Sequence, residues 1–146
     1  MDLPEKIRDE IDGLNKERAI LTLISKKRSQ TNLDEVEIRA AALSLSALYN
    51  GIEKILIDIL KDSGFHLKDQ PSWHTLLLKE SLNQRLISEK TFNELKGYLA
   101  FRHFVRHAYS FEINPYAINS ILDKAEGCVK NFILEIQVFY QKRGDN

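Results

Sequence analysis

Apolar residues recur along this chain at three- and four-residue steps, and nowhere do apolar and polar positions alternate for long enough to define a strand. The pattern predicts an all-α protein. A first helix is expected to take Asp2 as its cap, with Glu5 completing a capping box, and to run to about residue 29. Its inward positions are Ile7, Ile11, Leu14, Ala19, Leu21 and Ile24, with charges filling the gaps. A second helix, the longest expected, has Asn32 as its cap with Glu35 behind it and extends to about residue 62, stopping at Gly64. Leu45, Leu48, Ile52, Ile55, Ile59 and Leu60 form its stripe, and Leu43, Leu56 and Ile57 widen that stripe beyond what one neighbour covers. This helix is expected at the centre of the core. Gly51 inside it costs about 1 kcal/mol relative to alanine, and reads either as a point of close backbone approach, slightly the favoured reading, or as mere tolerance.

Residues 65–71 read as a loop, followed by a short helix from a Ser72 cap through Trp73 to about residue 79, where Trp73 and His74 read as packing residues. After a polar connection, a Ser88-capped helix turns Phe92, Leu95, Tyr98, Leu99, Phe101 and Val105 inward. A turn through 110–114 leads to a last helix with Asn114 as cap and Pro115 at its first position, ending near Gly144. Ile118, Ile121, Leu122, Ala125, Cys128, Val129, Phe132, Ile133, Ile136 and Phe139 supply its buried face. The architecture expected is an up-and-down bundle of four main helices plus a short one, in a single domain over 1–146.

Composition narrows the chemistry. With 21 basic and 21 acidic residues among 146, the formal net charge is zero, so binding to nucleic acid has to come from a local patch, completed if need be by a second subunit. Cys128 is the one cysteine and falls on an apolar face, which marks a buried structural thiol and not a nucleophile. The start Met1-Asp2-Leu3-Pro4-Glu5 lacks the basic and apolar regions of a signal peptide, and the apolar stretch 40–49 is too short to span a bilayer. A soluble, cytoplasmic protein without membrane contact is expected.

The chemistry concentrates in Arg102-His103-Phe104-Val105-Arg106-His107-Ala108-Tyr109, which holds two guanidiniums, two imidazoles and a phenol. Arginine offers a forked, permanent cation for phosphate, and histidine exchanges protons near neutrality. Such a set suits a phosphodiester. In-line attack of a ribose 2′-hydroxyl would use His107 as general base or acid and Arg102 to neutralise the non-bridging oxygens, with His103 and Arg106 as auxiliary phosphate or proton contacts. No metal or other cofactor is needed, and the required 2′-hydroxyl makes RNA the substrate, leaving a 2′,3′-cyclic phosphate. The spacing of His103 and His107 is that of zinc ligands, but a third ligand is missing and two arginines would repel a cation. Residues five apart on a helix are rotated by roughly 140° from alignment, so Arg102 and His107 converge only where the helix frays, widens or ends. A plain alternative is a solvated basic helix end, favoured by the helix dipole.

Arg102-x4-His107-x-Tyr109, at the end of the penultimate long helix of an all-helical layout, resembles the signature of HEPN-domain proteins of the HepT toxin type. The resemblance implies a small helical bundle that pairs as a homodimer, bringing two Arg-His sets into one cleft, and that acts as a metal-independent ribonuclease toxin. It further implies a minimal nucleotidyltransferase antitoxin as partner, which in some systems transfers AMP to the motif tyrosine, here Tyr109. His103 departs from the family's usual asparagine or aspartate after the arginine, and leaves open a share of the proton work. HEPN-like modules without catalysis, which bind RNA, a nucleotide or a partner protein, are the alternative.

Overall fold

A computed structural model describes residues 2–107 and 115–144, the side chains of His107 and Pro115 excepted. Pro4, with φ −57° and ψ 147°, stands directly before α1 (Glu5–Arg28), and no side chain caps that helix. The expected Asp2 cap is therefore corrected. A proline steers the residue before it toward extended backbone, so the first turn begins only after the ring. The second helix, α2 (Glu35–Asp62), starts from Asp34 and not from Asn32. Asp34 accepts from the Glu37 amide at 2.8 Å, and Glu37 accepts from the Asp34 amide at 2.9 Å, which closes a capping box two residues later than expected. Lys27 of α1 also pairs with Glu37, tying this cap to the preceding helix. At its other end Gly64 takes a φ of +91°, a value glycine adopts without strain.

A short 3-10 helix (Leu67–Asp69) and then α3 (Trp73–Asn83) follow. Ser72 sits at the α3 N-cap with φ 56° and makes no side-chain cap bond. The helix outlasts the expected end near residue 79 because Leu77, Leu78 and Ser81 are all buried, giving its second half a packed face. Next comes α4 (Glu89–His107), capped as expected by Ser88, whose Oγ accepts from the Thr91 amide at 3.2 Å. The last helix, α5 (Pro115–Gly144), begins at Pro115. The expected Asn114 cap and the turn at 110–114 lie outside the described residues.

Named contacts fix the directions of the four long helices. Lys6 meets Asp58 at 3.1 Å, while Lys27 meets Glu37 at the opposite end, so α1 and α2 run antiparallel. Thr91 donates to Glu135, and Tyr98 donates to the Ile121 carbonyl at 3.5 Å, so α4 and α5 are antiparallel as well. Arg18 reaches Glu126 at 3.5 Å, which docks α5 on α1. The result is the up-and-down bundle, with α3 packed against α2 and α4. A Cβ on Gly51 would lie 2.8 Å from Leu14 Cδ2, so α1 and α2 do approach closely there.

The stripe residues Leu45, Leu48, Ile52, Ile55, Ile59 and Leu60 of α2 are buried, as is Leu56, whereas Leu43 is 72% exposed. By length and composition α2 would span a bilayer, but 56% of its most apolar window is buried inside the bundle, the position of a core helix. Cys128 is buried, and desolvation pushes its thiol well above the ordinary range, so it supplies no thiolate.

Candidate functional site

Among its apolar neighbours α2 carries one buried carboxylate, Glu53, 4% exposed. Burying a charge without a partner is prohibitive, and three helices converge to supply partners. Asn50 lies one turn earlier on the same helix. From α4, Arg102 points inward and is only 3% exposed. Its Nη1 donates to Glu53 Oε1 at 2.7 Å and to Asn50 Oδ1 at 2.6 Å, and its Nη2 donates to Glu53 Oε2 at 3.4 Å. The guanidinium carbon also lies 4.7 Å from the centroid of the Tyr49 ring, within cation–π range.

The third contribution is His74, in the first turn of α3. Its Nδ1 lies 2.7 Å from Glu53 Oε2 and 3.0 Å from Arg102 Nη2. A ring nitrogen carries either a hydrogen or a lone pair. A carboxylate only accepts and a guanidinium only donates, so Nδ1 faces one partner of each kind; the Glu53 contact is the shorter, and in the neutral tautomer that serves it the hydrogen is on Nδ1 and the lone pair on Nε2. Trp73 stacks on the imidazole with centroids 3.7 Å apart, which fixes the ring plane. Lys68 sits 5.7 Å from the Trp73 ring. The packing role expected of Trp73 and His74 is therefore only half of what His74 does.

Tyr49, fully buried, has a hydroxyl without a hydrogen-bond partner among the described residues, and so does the buried Ser46 Oγ. Burial first, and then the Glu53 carboxylate, push the Tyr49 pKa well above its ordinary value, so it remains a neutral phenol beside the ion pair.

Of the residues singled out from sequence, Arg102 is thus an inward-facing member of a buried cluster, while His103 and Arg106 are exposed. His107 is the last described residue of α4, its side chain and all of Tyr109 lying outside the described residues. The backbone is regular helix from Arg102 to His107, which sets the two about 140° apart around the axis. One chain therefore does not aim both residues at the same point from α4 alone. Among the described residues no cluster of His, Cys, Asp and Glu suits a metal ion.

Asn50 and Glu53 escaped the sequence reading as site residues, and His74 was read only as a packing residue. Glu53 did leave a trace, an acidic residue between Ile52 and the Ile55-Leu56 pair on a helix otherwise apolar on that side.

A model of the family described as HepT-like protein matches residues 40–143, a span that holds every member of this cluster and leaves out all of α1. No curated protein and no solved structure matches the chain.

Proposed function

The chain belongs to the HepT-like family, of toxin–antitoxin HEPN type, and from that premise we propose that it is a metal-independent endoribonuclease, the toxin half of a two-protein module. The observation that carries this reading is an intact Arg102-x4-His107-x-Tyr109 motif, inside the family match and at the end of α4. Arg102 and His107 form the catalytic pair, with His103 and Arg106 as exposed auxiliary contacts for the RNA backbone. In the free chain Glu53 occupies the Arg102 fork. A substrate phosphate meets a guanidinium donor that Glu53 leaves free, so the buried carboxylate keeps its cation.

Two copies complete the site. Leu43 is 72% and Phe104 44% exposed, apolar surface of a kind that a second copy covers. A homodimer also brings a second Arg-His set into the cleft, which offsets the 140° divergence within one helix. The partner antitoxin is a nucleotidyltransferase that adds AMP to Tyr109, and the added bulk and negative charge block the phosphate site.

The burial of Arg102 favours one other reading, a non-catalytic HEPN-like module in which the arginine is purely structural. Expression of wild type and of His107→Ala separates the two. The enzyme arrests growth and degrades RNA, and His107→Ala abolishes both effects; equal behaviour of the two proteins assigns the chain to the binding class. Mass measurement after co-expression with the nucleotidyltransferase tests the modification, which adds AMP to wild type and none to Tyr109→Phe.

A further inference from the structure

Cleavage by a 2′-hydroxyl moves two protons, one off the attacking oxygen and one onto the leaving 5′-oxygen, so one concerted step draws on two proton-carrying groups. The cluster around Glu53 contains a second imidazole. We infer that His74 is a further catalytic residue, the general base of the RNA-cleaving site proposed above, on which this inference rests.

Geometry assigns the role. Glu53, itself buried, lies 2.7 Å from Nδ1, and in the neutral tautomer with its hydrogen on Nδ1 the ring presents Nε2 as the acceptor. That is the arrangement by which a carboxylate prepares a histidine base in hydrolases with a triad. Nδ1 is enclosed between Glu53 and Arg102, yet the side chain as a whole keeps 31% exposure, so the ring still meets solvent. Nε2 makes no hydrogen bond among the described residues, so no protein group there competes for its lone pair. Trp73 at 3.7 Å prevents the ring from turning. Arg102 lies 3.0 Å from the imidazole, so the base and the phosphate-neutralising cation share one support. The charged groups facing His74 are Glu53 from α2 and Arg102 from α4, with Lys68 beyond the Trp73 ring.

In the step that follows, Nε2 of His74 takes the 2′-hydroxyl proton, the 2′-oxygen bonds to phosphorus, and the bond from phosphorus to the 5′-oxygen breaks. The 5′-oxygen receives a proton from His107 of the same or a second copy. The products are a 2′,3′-cyclic phosphate and a 5′-hydroxyl, and solvent returns each imidazole to its starting state. A histidine in the last turn of a helix is favoured as imidazolium by the dipole, which matches His107 to the acid role.

His74→Asn is the informative variant, because its amide keeps a donor for Glu53 but has nothing in the place of Nε2. The measurement is cleavage in chelator of RNA and of uridine 3′-(p-nitrophenyl phosphate), whose leaving group needs no proton. The expected result is a kcat loss of about 10²- to 10⁴-fold on both substrates, with loss of the acidic limb of the pH–rate profile and an unchanged melting temperature. His107→Ala, by contrast, should recover on the nitrophenyl substrate. Full activity of His74→Asn beside an inactive His107→Ala overturns the role of His74 and leaves the nuclease reading standing; a wild type that cuts no RNA overturns both. Should the Asn variant melt early, free imidazole added to His74→Ala decides the matter, restored cleavage supporting the assignment and none contradicting it.

Discussion

Removing the Glu53 carboxylate leaves Arg102 charged, 3% exposed and without its principal acceptor. Breaking one side of a buried pair costs about 3–5 kcal/mol. Glu53→Ala should accordingly lower the melting temperature by roughly 10 °C, read by thermal denaturation. Arg102→Ala faces the same penalty from the other side, so a loss of activity in that variant mixes folding with catalysis. Mutations of the exposed His103 and Arg106 break no buried ion pair, so their effect on RNA cleavage and binding is read with less change in folding. At this scale the sequence was legible in part. Arg102 stood out because of its neighbours His103, Arg106 and His107, but its inward direction depends on Glu53 and Asn50, roughly fifty residues away, and no local spacing announces a contact of that range. His74 looked like a packing residue for the same reason. Its first-turn position beside Trp73 is visible in sequence, whereas the carboxylate that orients it arrives from another helix.

The helices themselves were written in the apolar periodicity, since burial of a stripe decides them. Their starts were less legible. Two overlapping cap signals, Asn32 with Glu35 and Asp34 with Glu37, compete before α2, and the second wins with the additional pairing of Lys27 to Glu37. Asp34→Ala removes one half of that box and should cost about 1 kcal/mol, whereas Asn32→Ala should be near neutral. Comparing the two melting temperatures tests the reassigned cap. Gly51 was legible as a close approach, and the structure adds what it approaches, the end of the Leu14 side chain. A valine there would push α1 away from α2, and Gly51→Val is expected to destabilise by about 1–3 kcal/mol in chemical denaturation.

For the whole molecule, the up-and-down arrangement follows from short links between amphipathic helices, and the pairing of α1 with α2 and of α4 with α5 was implicit in their order. The bundle also sets a pH dependence. Burial raises the pKa of Tyr49, Tyr98 and Cys128 above their ordinary values. Each group is neutral when protonated, so above its unfolded pKa the unfolded chain releases a proton that the folded chain retains. Stability from these groups is therefore fully present at neutral pH and is lost as pH climbs beyond about 9 to 10, the ordinary range of thiols and phenols. Melting temperatures taken across the alkaline range should fall, and Cys128→Ala should soften the earliest part of that fall.

The proposed activity is cleavage of RNA by this bundle's own side chains. The most direct measurement is incubation of the purified protein, in excess chelator, with matched RNA and DNA strands, followed by mass analysis of the ends. RNA is expected to be cut to 2′,3′-cyclic phosphate and 5′-hydroxyl ends while DNA stays whole. Intact RNA, or cleavage that appears only when a divalent metal is supplied, would contradict the proposal.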